Sequence, residues 1–143
     1  MDMPSDVDLD LSAARRVLDR QPFSATLGTR IVAFGPDRAV LELAVRDDLR
    51  QQHGFVHGGV VSYLVDNAIT FAAATALGPN IVTGGFAVEY LRPAAAGVLR
   101  VEAAVVQAGA RQAVVRCEVT EQRDGDSRVV AVGQGRVLTR PQS

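Results

Sequence analysis

The stretch Gly58-Gly59-Val60-Val61-Ser62-Tyr63-Leu64-Val65-Asp66-Asn67-Ala68-Ile69-Thr70-Phe71-Ala72-Ala73-Ala74-Thr75-Ala76-Leu77, followed by Gly78-Pro79, is apolar almost all round. A helix of that character belongs inside a protein core or a membrane. Its length is about that of a bilayer span, yet Asp66-Asn67 interrupt its middle and no basic residues flank it. It therefore reads as a helix buried in a soluble domain, opening at the glycine pair and stopping near Gly78-Pro79.

Beyond Pro79 the hydrophobic period changes to two and stays there through Ile81 to Arg92, Val98 to Gln107, Arg111 to Gln122 and Arg128 to Thr139. These are four strands, and the short connections at 93–97, 108–110 and 124–126 suit antiparallel neighbours. Leu99, Val101, Ala103 and Val105 share one face while Arg100 and Glu102 take the other, so one side of the sheet is buried. Gly133 and Gly135 fall on one face of the last strand, where a helix or another backbone can approach closely.

Before the long helix, Ala25 to Phe34 and Ala39 to Arg46 flank Gly35-Pro36-Asp37 and read as a hairpin of two strands. Asp47 to Val56 is polar and reads as a loop. Residues 9 to 20 carry helical spacings and end before Pro22, giving a short amphipathic helix packed on the outside. The expected organisation is an N-terminal segment, 1–24, and one domain, 25–143. Two strands, one apolar helix and four strands make an α+β fold in which an antiparallel sheet curls around the helix and buries both.

The composition narrows the partners. Fifteen Lys plus Arg against 16 Asp plus Glu offer no broad attractive field for a phosphate backbone, so no nucleic acid is expected, and no membrane. The single cysteine, Cys117, has no partner for an internal disulfide and sits at an apolar strand phase, where a buried inert thiol is the expectation. Met1 to Asp6 lack the basic start and apolar run of a secretory signal, which points to the cytoplasm. His53 reads as an exposed loop residue, and nothing joins it to His57 as a metal site.

Chemistry concentrates in Val56 to Asn67. Glycines at a helix start leave backbone N–H groups open, with no Cβ in the way, at the positive end of the helix dipole, a ready site for an oxyanion. Asp66 is the one charged side chain between Gly58 and Leu77. A carboxylate so placed either takes part in chemistry or is satisfied by neighbouring hydroxyls and amides. Gly58 and Asp66 are eight residues apart, about 12 Å along one helix, too far to serve one carbonyl. Two copies of the helix, antiparallel across a two-fold axis, bring Gly58 of one beside Asp66 of the other, so a dimer or a dimer of dimers is expected.

His57-Gly58-Gly59, then Leu64-Val65-Asp66-Asn67, then Glu89-Tyr90-Leu91-Arg92-Pro93 resemble the PaaI-type thioesterases of the hotdog fold, over roughly residues 25 to 139. The resemblance implies hydrolysis of an aryl-acyl or fatty acyl-CoA thioester to free acid and coenzyme A. It assigns the Gly58 amide to polarising the carbonyl and Asp66 to acting as nucleophile or as general base on water. Gln51, or its neighbour Gln52, and Thr83 help place that water, and His57 either acts as a general acid or base or, as the family motif implies, holds the loop that aims Gly58. Substrate contacts are expected from Gly59, Val60, Leu64 and Asn67, with Val61 and Phe71 also along the acyl path, and from Arg92 toward the coenzyme A phosphates, unless Arg92 is an ordinary surface or interface arginine. No cofactor or metal is implied, since coenzyme A enters as part of the substrate. The alternatives are a hotdog enoyl-CoA hydratase or dehydratase and a non-catalytic acyl-CoA-binding module.

Overall fold

In the computed structural model, which describes residues 9–141, the long apolar stretch is one helix from Gly58 to Leu77, α3 in chain order. Its N-cap is His57, and Gly78 ends it at a positive φ of 86° that a residue with a Cβ rarely adopts. Two short helices, α1 (Leu11–Asp19) and α2 (Pro22–Leu27), precede the sheet. Asp10 caps α1 by accepting from the Ala13 amide at 2.8 Å.

The strands are β1 (Arg30–Phe34), β2 (Arg38–Ala44), β3 (Ile81–Tyr90), β4 (Val98–Ala108), β5 (Gln112–Arg123) and β6 (Asp126–Thr139). They form one antiparallel sheet in the order β1-β2-β4-β5-β6-β3, with α3 against its inner face. The β5–β6 hairpin turns on Asp124 and Gly125, at φ values of 53° and 79°, as a two-residue turn with both centres left-handed requires.

Two expectations change. The first strand begins at Arg30 rather than Ala25, because Pro22 starts a helical turn and Gly28, at φ 78°, closes it. Connection 93–97 does not join antiparallel neighbours: β3 pairs with β6 at the sheet edge, whereas β4 pairs with β2 and β5. The seven residues 91–97, at up to about 3.3 Å each, are long enough to cross the three strand spacings of about 4.8 Å that separate β3 from β4.

Small side chains make room for the helix. Across the sheet Ala39 pairs with Ala103, Ala103 with Cys117, Cys117 with Gly133 and Gly133 with Val88. A Cβ at Gly133 would lie 2.6 Å from Val65 Cγ1, and one at Gly135 would meet the end of Ile69. Val65 and Ile69 are fully buried. Cys117 belongs to this trough, and burial pushes its thiol up to about 12, so it is a packing residue and no nucleophile at neutral pH.

The crossover is held from beneath by Glu121, whose side chain is fully buried. Its carboxylate accepts from the Ala95 and Ala96 amides at 2.6 and 3.0 Å and from Arg128 at 3.2 Å. Burial pushes this carboxyl up, but the two amides, Arg128 and the charge of Arg123 together outweigh it and hold the group below its ordinary value.

Candidate active site

The start of α3 is fixed from several sides. The His57 amide donates to the Leu49 carbonyl at 2.8 Å, and His57 Nδ1 accepts from the Gly59 amide, also at 2.8 Å. The ring thus takes up one of the open N–H groups of the first turn, which is a capping role. Among the described residues none accepts from the Gly58 amide, which is left for a ligand. From the other side the Tyr90 hydroxyl, at the end of β3, donates to the Gly58 carbonyl at 2.9 Å and pairs with Ser62 Oγ at 2.5 Å. The preceding loop is stitched to the crossover by Arg50, which donates to the Gly54 and Ala95 carbonyls, and by the Val56 amide on Ala94.

Beside Gly58 lies a groove of about 340 Å³ that also carries Gln51, Tyr90 and Arg92. Gln51 faces this groove while its Oε1 accepts from the His53 amide, and Gln52 is exposed on the loop. His53 is exposed as expected.

Asp66 lies two turns further on, half-buried, in a different cluster. Thr83 Oγ1 donates to Asp66 Oδ1 at 2.7 Å, and Thr70 Oγ1 sits 2.8 Å from Thr83 Oγ1 while donating to the Asp66 carbonyl. Pairing of β3 with β6 shifts register between Thr83 and Gly85, a bulge beside the residue that holds the carboxylate. Asp66 and Thr83 are therefore brought together, and Gly58, Gln51 and Arg92 are brought together elsewhere. One protomer contains two half-sites.

Of the remaining residues, Leu64 is fully buried and Val60 nearly so, packed in the protomer's own core. Asn67 Nδ2 donates to the Tyr63 hydroxyl at 3.2 Å and lies 3.4 Å from Ser24 Oγ, tying α3 to α2. Tyr90, Ser62 and Thr70 escaped the sequence reading. Thr70 had a signal, being one turn from Asp66 on an apolar helix; Ser62 and Tyr90 are 28 residues apart and meet only through the sheet. Among the described residues no three His, Cys, Asp or Glu side chains cluster as a metal site needs.

The family model for the thioesterase superfamily matches residues 53–127, which contain both Gly58 and Asp66. A thioesterase family protein from Silicibacter pomeroyi is 34% identical, with a TM-score of 0.83 over 87% of this chain and 93% of that one. A variant of the phenylacetic acid degradation protein PaaI of Thermus thermophilus is 33% identical, with a TM-score of 0.74 over 84% of this chain and 100% of its own. A 1,4-dihydroxy-2-naphthoyl-CoA hydrolase of Listeria monocytogenes is 27% identical over 69% of this chain and 82% of its own length.

Proposed function

The chain belongs to the thioesterase superfamily, with the hotdog fold of its PaaI-like members, and is a hydrolase; from that premise we propose that it cleaves acyl-coenzyme A thioesters at a site shared by two copies of the chain. The observation that carries this reading is the separation of the two half-sites on α3, a free amide at Gly58 and a hydroxyl-held carboxylate at Asp66.

Strand β3 supplies the means of joining them. It is an edge strand of ten residues, without proline or a basic side chain, and Val82, Phe86 and Tyr90 on it are 48%, 40% and 54% exposed. Such an edge is a template for pairing with another strand. Antiparallel pairing with a second copy about the strand's midpoint exchanges Ile81 with Tyr90, so Thr83 faces Val88 of the copy, two residues from its Tyr90. Thr83 anchors Asp66 and Tyr90 anchors Gly58. The pairing thus sets each carboxylate toward the partner's oxyanion donor, which is what an isologous interface does.

In the shared site the thioester oxygen bonds the Gly58 amide, and Asp66 of the facing subunit either attacks the carbonyl carbon or takes a proton from the attacking water. The carbon–sulfur bond then breaks. With Asp66 as base, coenzyme A leaves with the proton taken from water; with Asp66 as nucleophile it leaves as the thiolate, and water hydrolyses the mixed anhydride to the free acid and the Asp66 carboxylate. Arg92, in the Gly58 groove, is suited to the phosphates of the leaving group. A named activity on an aryl thioester of coenzyme A in the Listeria relative supports this substrate class. The test is release of free thiol from a panel of acyl-CoAs, run beside hydration of an enoyl-CoA. Thiol release with no hydration is expected; the reverse pattern, or tight binding without turnover, overturns the proposal.

A further inference from the structure

Resting on that reading, we propose that the N-terminal helix α1, which the sequence places on the outside, forms the wall of the acyl pocket and limits it to a single aromatic ring or a medium-length chain. A cavity of about 260 Å³ lies between α1, β1 and the second half of α3. Hydrogen bonds connect it to the carboxylate: Thr70, which lines it, is bonded to Thr83, and Thr83 to Asp66. An acyl group entering here has its first carbons next to the reacting carboxylate and its far end beneath α1.

The lining suits that cargo. Val17 comes from α1, Phe34 from β1, Phe71 and Ala74 from α3, and Phe34 and Phe71 meet edge to face with centroids 6.5 Å apart. Arg20, Gln21, Asn67 and Thr70 are the polar residues of a lining that is otherwise apolar. Gln21 and Asn67 among them are braced through Ser24 and Tyr63, whose hydroxyls lie 2.6 Å apart. That network fastens α2 to α3, so the wall is anchored to the helix that carries Asp66.

Size decides the class of acyl group. At a liquid-like ~30 Å³ per non-hydrogen atom the cavity holds on the order of ten such atoms. It also lies just below the ~300–1,000 Å³ of drug-sized pockets. Ala74, eight residues beyond Asp66 and about 12 Å along the helix, lines the cavity, and Pro79 lines it past the end of α3. A phenylacetyl or octanoyl group fits this space, and a palmitoyl chain does not.

The experiment changes the wall without touching either half-site. Val17→Phe fills the cavity from α1 and Val17→Ala widens it, with thermal melts confirming that each variant folds. In the wild type, kcat/KM for phenylacetyl- or octanoyl-CoA should exceed that for palmitoyl-CoA at least tenfold. The ratio of phenylacetyl- to acetyl-CoA hydrolysis should fall at least tenfold in Val17→Phe, and the preferred chain should lengthen in Val17→Ala. A wild type that hydrolyses palmitoyl-CoA as well as octanoyl-CoA, or folded variants with the parental profile, overturns the proposal. Affinity for a thioether analogue of phenylacetyl-CoA, measured by calorimetry, reads the cavity apart from catalysis. If no acyl-CoA is hydrolysed the thioesterase reading fails, while tenfold weaker analogue binding in Val17→Phe still upholds the pocket and equal binding removes it.

Discussion

Thr83 Oγ1 donates to Asp66 Oδ1 at 2.7 Å, fastening the third residue of the edge strand β3 to the middle of the central helix. A hydrogen bond to a charged group contributes about 1.5–3 kcal/mol. Thr83→Val removes this donor at nearly constant volume, so kcat should drop about tenfold to a hundredfold with KM little changed. Thr83→Ser should keep most of the rate. Steady-state kinetics on one acyl-CoA substrate separate these outcomes, and equal rates for Thr83→Val and the parent would remove Thr83 from the site.

The two half-sites can be separated genetically. Asp66→Ala takes the one charge out of α3, where the relieved carboxylate and the lost hydrogen bond from Thr83 oppose one another, so the variant should still fold. Gly58→Pro deletes the free amide, and losing one oxyanion donor typically lowers the rate about a hundredfold to a thousandfold. Each homodimer should be nearly inactive. Mixed dimers restore one complete site, and activity should return toward half of the wild-type value. Mixed dimers that form and stay inactive would show that the residues do not work across the interface.

Tyr90 is expected to act through Gly58. Tyr90→Phe removes the donor to the Gly58 carbonyl and the partner of Ser62, while keeping the ring. At about 1 kcal/mol per hydrogen bond, the melting temperature should fall by several degrees. The decisive reading is kcat: a loss of fivefold or more at unchanged KM marks a positioning residue, whereas a lower melting temperature with full kcat marks a structural one.

Acid should loosen the protein at a defined place. The Glu121 carboxyl is held below its ordinary value of 4.5 in the fold, so the folded state binds its proton less readily than the unfolded chain. The stabilisation is therefore complete above that value and is lost as the pH falls from it through the lower folded value. Glu121→Gln should be less stable than the parent at neutral pH, and the gap should close in acid. Urea unfolding at several pH values reads this directly, and a gap independent of pH would contradict it.

Much of this was legible because the informative residues break a local pattern. Asp66 is a charge in an apolar helix, Gly58 and Gly59 open that helix, and Gly78-Pro79 close it, so the limits of α3 and the positions of Gly58 and Asp66 could be read from neighbours alone, whereas Gln51 and Thr83 came only from the family resemblance. Gly133 and Gly135 announced the close approach of the helix in the same way. Pairing was harder. That β3 joins β6 and not β4 depends on the curl of the whole sheet, which no short connection reveals. The strand expected from Ala25 was misplaced because one turn of helix carries too few residues to establish its period against a strand pattern. Tyr90 stood inside a quoted motif without a role, since its bonds to Gly58 and Ser62 exist only once β3 has folded back along α3.

The glycine pair of β6 has a mechanical consequence. Gly133 and Gly135 receive Val65 and Ile69, each next in sequence to a residue of the carboxylate cluster, Asp66 and Thr70. The sheet therefore acts as a gauge block under the helix: its thickness at two positions sets how far the acid stands from Thr83 and, in the proposed shared site, from the facing copy. A single methyl group at Gly135 would shim the helix outward, detuning the spacing of Asp66 from a strand that supplies no residue to either half-site.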